Sequence, residues 1–134
     1  MDPTPPSRPA PSSLRVCVQA WPEASATVVT LFGELDWTTI DVFAAELALV
    51  PGEPVPPRIV LDLAGLDFCD SAGLSALIKV WNGVQQSGGA LVMAGVRGRC
   101  ERLFQVTGLS RVFAFYPTVA DARGALGAPP VEPV

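Results

Sequence analysis

The chain has 134 residues, 49% of them apolar, and 13 acidic against 9 basic residues give a formal charge of −4. That size and apolar share suit one domain with its own core. The acidic balance, with no basic run, excludes general binding to a nucleic-acid backbone, so no nucleic-acid partner is expected. No apolar run approaches the roughly 20 residues that span a bilayer, and no membrane insertion is expected. The Pro- and Ser-rich start lacks the apolar centre of a signal peptide, which leaves the cytoplasm as the expected compartment. The chain has no histidine, which excludes Ser-His-Asp and Cys-His catalysis and removes the commonest zinc ligand. Cys17, Cys69 and Cys100 are far apart and odd in number, so they read as small buried apolar residues rather than a disulfide framework or a metal site.

Residues 1–13 carry five prolines and read as a disordered tail, and 127–134 as a flexible end, leaving one domain over 14–126. Leu14 to Val18 alternates as a strand, Trp21 to Ser25 forms its turn, and β-branched Ala26 to Phe32 returns antiparallel to it. Thr38 resembles a helix N-cap, with Asp41 three residues on near the first-turn N–H groups. Ile40, Phe43, Ala44, Leu47 and Val50 then mark one helical face, which Pro51 stops before a proline-rich loop to Pro57. Ile59 to Leu63 reads as a buried central strand. Leu74, Leu77, Ile78, Trp81 and Val84 line a second helix that Gly88-Gly89 ends. A short strand over Ala90 to Ala94 follows. Next come a helix over Arg97 to Val106, with Leu103 and Phe104 inward and Gly108 as terminator, and a last strand over Arg111 to Phe115. Thr118 caps a final helix that runs to about Leu126. The order is that of an α/β protein: a mixed β-sheet of about five strands, the later ones largely parallel, packed against about four helices.

Ser71 lies where a strand gives way to a helix, in Phe68-Cys69-Asp70-Ser71-Ala72-Gly73-Leu74. Two readings are open and compatible. Asp70 or Ser71 caps the helix, or the exposed hydroxyl is a modification site. A phosphoserine there carries about −1.5 to −2 charges, which the helix N-terminus tolerates and which an acidic or desolvated partner surface does not. Asp36, Asp67 and Asp70 are the acidic residues expected nearby, and Asp70 is adjacent in sequence. Gly33-Glu34-Leu35-Asp36 reads either as a strand-end turn, with Asp36 solvated or helping to cap the next helix, or as a surface beside Ser71 where Asp36 meets a partner. Trp37 follows in the same turn and is a candidate interface anchor, whereas Trp81 falls on the apolar helical face. The pairs and runs of glycine at 88–89 and 95–98 lack a phosphate-loop pattern and read as turns. Arg97, Arg99 and Arg102 read as a solvated helix face.

Three segments together resemble the STAS domain family, specifically its bacterial anti-sigma factor antagonists. They are Gly-Glu-Leu-Asp at 33–36, the Val-Leu-Asp-Leu strand leading to Phe-Cys-Asp-Ser-Ala-Gly-Leu at 68–74, and Arg-Leu-Phe-Gln-Val-Thr-Gly-Leu at 102–109. The resemblance covers essentially Leu14 to Leu126, and its second element is the most specific. It implies a non-enzymatic regulator that works by partner switching. The unmodified protein binds an anti-sigma factor that is also a serine kinase, so sigma factor is released. The kinase phosphorylates Ser71 and lets go, and a serine phosphatase restores the hydroxyl. ATP and magnesium then belong to the kinase, and this chain carries no cofactor and no metal. The partner-binding residues so implied are Asp36, Asp70, Ser71, Ala72 and Gly73, beside Trp37. Many members carry a second Ser or Thr where this chain has Ala72, so Ser71 is the only hydroxyl between Asp70 and Leu74. Competing readings are a STAS accessory subunit of a lipid-transport ATPase or stress-sensing complex that uses no phosphate, and a nucleotide-binding or enzymatic domain, against which the missing histidine and phosphate loop count.

Overall fold

The computed structural model of the chain describes residues 13–21, 26–50 and 56–127. Among them, five strands and four helices follow one another. They are β1 (Leu14–Trp21), β2 (Ala26–Leu35), α1 (Ile40–Leu47), β3 (Arg58–Cys69), α2 (Ser71–Gln86), β4 (Ala90–Ala94), α3 (Gly98–Thr107), β5 (Phe115–Tyr116) and α4 (Val119–Gly127). Trp21, expected in the first turn, is instead the last residue of β1. Ser13 of the expected first tail donates from its amide to Glu34 Oε1 at 3.2 Å, and Gly127 ends α4. The rest of that turn, the helix-stopping Pro51 with most of its loop, and the remainder of both tails lie outside the described residues.

The strands lie in the order β1-β2-β3-β4-β5. β1 is antiparallel to β2 and the later pairs are parallel, as the alternation of strands and helices predicts. Residues of opposite parity serve opposite faces. Val29, Leu31, Ile59, Leu61, Leu63, Leu91 and Met93 share the larger core with Phe43 of α1, Leu74 and Leu77 of α2, and Cys100 and Phe104 of α3. Val28, Val60, Val92 and Ala94 instead meet Ala122 and Leu126 of α4. Trp81 is half-buried and packs edge-on against Phe113 at 5.7 Å, in a ring cluster completed by Phe104 and Phe115. Such pairs contribute about 0.5–1.5 kcal/mol beyond the area they bury.

Several expected boundaries move. β3 runs well past Leu63 to Cys69. Its β4 partner ends at Asp62↔Ala94, so the second half pairs with β2 and lacks the continuous apolar run of a strand buried on both sides. The pairing shifts register between Thr30 and Phe32 and again between Gly33 and Glu34. Gly33 takes φ +105 at the second shift, a conformation that a β-bulge uses and L side chains rarely adopt. The expected strand over Arg111–Phe115 shrinks to Phe115–Tyr116, because the chain leaves Gly108 in a 3-10 turn over Leu109–Arg111 that plugs Phe113 into the core. α1 ends at Leu47 rather than Val50, and Ala44 is exposed rather than inward. Cys17 is exposed on the outermost strand, whereas Cys69 and Cys100 are buried as expected.

Candidate functional site

β2 and β3 are parallel neighbours that end together, with Leu35 paired to Cys69. The residues that follow them, Asp36-Trp37-Thr38-Thr39 and Asp70-Ser71, therefore emerge side by side at one end of the sheet. The Asp70 amide donates to the Leu35 carbonyl at 3.3 Å and extends this pairing by one residue.

Asp70, not Ser71, is the N-cap of α2. Its backbone is extended and its Oδ1 accepts from Gly73 N at 2.8 Å. A carboxylate here also faces the positive end of the helix. Ser71 is thus the first helical residue, exposed, and its hydroxyl has no hydrogen bond within the described residues. Ala72 is half-buried and Gly73 buried. A Cβ on Gly73 would run into the Leu35 carbonyl oxygen and lie 3.0 Å from Cys69 Sγ. Glycine at 73 is what lets α2 start this close to β2.

The neighbouring turn is locked from within. Asp36 is buried, at 6% exposure, rather than solvated. Its Oδ1 accepts from Thr38 N at 2.9 Å and Thr38 Oγ1 at 2.6 Å. Thr39, also buried, accepts from Asp36 N at 3.0 Å and donates to the Glu34 carbonyl at 2.9 Å. The helix cap position falls on Thr39 instead of Thr38, whose hydroxyl is engaged with Asp36. Sequence reasoning missed the part played by Thr39. The signal was an Asp followed by two threonines, residues whose short side chains bond the local backbone. Trp37 stands out of this turn with 73% of its surface exposed. Its amide donates to Asp70 Oδ2 at 3.2 Å, which ties the turn to α2.

Beneath the site lie two thiols. Burial, followed by the charges of Cys100, Asp70 and Asp36, pushes Cys69 from its ordinary 9.0 up to about 12. Burial and Asp67 raise Cys100, with Arg97 opposing. A thiol whose pKa is higher folded than unfolded binds more protons in the native state, so its stabilising contribution is intact below pH 9 and is lost as pH climbs towards 12. We expect urea unfolding midpoints to fall progressively across that window. At pH 8, iodoacetamide should label Cys17 alone, with Cys69 and Cys100 reacting after denaturation. Rapid labelling of Cys69 in the native protein would contradict this.

Other expected neighbours are placed elsewhere. Asp67 pairs with Arg97 at 3.6 Å with both side chains largely exposed, a contact of little energetic weight. Arg97 also donates to the Ala64 carbonyl at 2.8 Å, and Arg99 and Arg102 are exposed. A groove of about 350 Å³ opens beside Ser71, between α1 and α2, lined by Ile40, Asp41, Ala44, Ala72, Ser75 and Lys79 among others. Phe68, at 37% exposure, adds an apolar side chain at the end of β3. No helix among the described residues is long and apolar enough to cross a membrane, and none of their acidic and thiol groups cluster as metal ligands.

An exposed hydroxyl, an exposed indole and a groove that mixes Ile40, Ala44 and Ala72 with Asp41, Ser75 and Lys79 thus lie at one end of the sheet. A family model described as the STAS domain matches residues 20–122. The anti-sigma F factor antagonist of Paenibacillus polymyxa is 30% identical over 95 residues, covering 71% of this chain and 81% of that protein. Among solved structures, an anti-sigma-factor antagonist (STAS) domain protein from Planctomyces limnophilus superposes with a TM-score of 0.74 at 25% identity, covering 84% of this chain and 98% of that one. An anti-sigma factor antagonist from Mycobacterium paratuberculosis gives 0.66 at 29% identity, covering 87% and 97%.

Proposed function

The chain belongs to the STAS domain family, and we propose that it acts within that family as an anti-sigma factor antagonist switched off by phosphorylation at Ser71. Its partners in this reading are an anti-sigma factor that is also a serine kinase, and a serine phosphatase. The observation that carries the proposal is the state of Ser71: Asp70 takes over the capping of α2, and the adjacent hydroxyl is left exposed at the helix N-terminus beside the exposed Trp37. The names of the relatives support the antagonist role.

In the switching step the Ser71 Oγ–phosphorus bond forms as the bond between the γ-phosphorus and its bridging oxygen in ATP breaks. ADP leaves, and the hydroxyl proton passes to a base of the kinase. Water on the phosphatase reverses the modification and releases inorganic phosphate. ATP and magnesium are held by the kinase, and this chain contributes the acceptor and the docking surface. The added charge of about −1.5 to −2 sits on the helix N-terminus, which accommodates an anion, and directly after Asp70, which makes the surface strongly negative.

Incubation of the full chain with the anti-sigma factor kinase of the same organism, ATP and magnesium tests the reading. Mass spectrometry should place a single phosphate on Ser71, absent from Ser71→Ala and absent when the chain is incubated with nucleotide alone. Modification elsewhere, or none with a kinase that binds the chain, would refute it.

A further inference from the structure

One carboxylate joins the two halves of the site. Asp70 Oδ1 accepts from Gly73 N at 2.8 Å, within α2. Asp70 Oδ2 accepts from Trp37 N at 3.2 Å, across the gap between two chain segments. The Trp37 turn satisfies much of its remaining polarity internally: Thr38 N and Oγ1 on Asp36 Oδ1, and the amides of Thr39 and Ile40 on the Asp36 carbonyl, each at 3.0 Å. The Trp37 amide is the group of this turn that reaches out to Asp70. Its indole, 73% exposed, is steered by that backbone more than by packing.

We infer that Asp70 is a positioning residue that transmits the state of Ser71 to Trp37. With Ser71 unmodified, the carboxylate holds the Trp37 amide and with it the turn from which the indole projects. With phosphate on Ser71, it releases that amide. This rests on Ser71 being the phosphoacceptor. The physical cause is competition between two anions one residue apart. The phosphoryl group is a strong acceptor drawn to the first-turn N–H groups of α2, where Asp70 already sits, and the two repel. Of the two Asp70 contacts, the one to Trp37 is the longer and is exposed to solvent, whereas the cap contact is shorter and part-buried. The contact to Trp37 therefore yields first. A partner then meets an added charge and also loses a fixed aromatic anchor, so release has two components.

Asp70→Asn separates the two contacts. Asparagine is as good an N-cap as aspartate, since its one carbonyl oxygen still accepts from Gly73 N. Its amide nitrogen cannot accept from Trp37 N. Asp70→Ser, which also caps with a single oxygen, serves as a second variant. Amide hydrogen exchange at Trp37 and Gly73 is to be read by NMR in the full chain, in both variants, and in protein carrying phosphoserine at position 71 installed by amber suppression. Trp37 exchange should rise at least about tenfold in the variants and in the phosphorylated chain, while Gly73 in Asp70→Asn stays within about twofold of the unmodified protein. A Trp37 amide equally protected with and without the phosphate overturns the inference. Affinity for the anti-sigma factor, measured on the same samples, keeps the two ideas apart. Lost affinity with Trp37 still protected sinks the coupling and leaves the switch. Freed Trp37 with undiminished affinity sinks the switch and leaves the coupling.

Discussion

Ser71→Asp should weaken binding to the proposed partner, an anti-sigma factor with serine-kinase activity, by about a hundredfold, while Ser71→Ala should bind as the unmodified protein does and should not be released by ATP. One unit charge about 6 Å from a like charge on a partner costs roughly 3 kcal/mol at an effective dielectric near 20, which is a factor of about a hundred in affinity. A phosphoserine carries up to twice that charge, so Ser71→Asp is a lower bound on the effect of modification. The substitution falls on the first helical residue of α2, where an anion is favoured by a few tenths of a kcal/mol, so the fold should be unharmed or slightly firmer. Thermal melts of the free proteins alongside isothermal titration with the purified anti-sigma factor separate the two quantities. Equal affinities for wild type, Ser71→Ala and Ser71→Asp would remove phosphate from the mechanism.

The second large effect concerns stability. Gly73→Ala should destabilise the chain by about 3 kcal/mol, against a helix propensity that by itself favours alanine by roughly 1 kcal/mol. The new methyl group meets the Leu35 backbone carbonyl, which belongs to a paired strand and cannot swing aside. Gly83→Ala supplies the contrast within the same helix. Nothing lies within 4 Å of a Cβ there, and the change should be neutral or stabilising by up to about 1 kcal/mol. Chemical denaturation of the three proteins checks both signs. A Gly73→Ala protein as stable as Gly83→Ala would mean that α2 is free to retreat from β2, and with it the hydroxyl at its start.

Most of the fold was legible because its elements carry period and punctuation. Ala90–Ala94 appears as expected, Gly108 closes α3, and Thr118 accepts from the Asp121 amide at 3.1 Å to start α4. The departures share one cause, which is that pairing overrides composition. The far half of β3 includes Ala64, Gly65 and Asp67, which do not read as strand. They are strand because β2 supplies a partner, through two irregularities that no residue pattern announces. At the site, the sequence placed Ser71 on a helix N-terminus and Trp37 in an exposed turn. It left open which residue caps and whether Asp36 is solvated. The first is settled by a local bond, Gly73 N on Asp70 Oδ1, and the second by the burial of Asp36 with Thr38 on its carboxylate, while the bond from Trp37 to Asp70, thirty-three residues apart, is one that no local pattern announces. The burial of Asp36 moves it from the surface into the support of that surface.

The two register shifts between β2 and β3 also constrain how such a chain can change length. Thr30 faces Asp62 but Leu35 faces Cys69, so β3 carries two more residues than β2 over that stretch. Each extra residue advances the end of β3 by about 3.3 Å and would by itself turn every later side chain to the opposite face. The core position therefore passes from odd Leu61 and Leu63 to even Leu66 after the first shift, and the second returns it to odd Cys69, so the pair restores the parity at the end of the strand. The arrangement works as a vernier that brings Asp70 level with Trp37. Losing one residue from this half of β3 would turn Cys69 out of the core and carry Asp70 away from the Trp37 amide. In related chains, insertions and deletions in this half of the strand are expected in compensating pairs, while their length varies freely elsewhere.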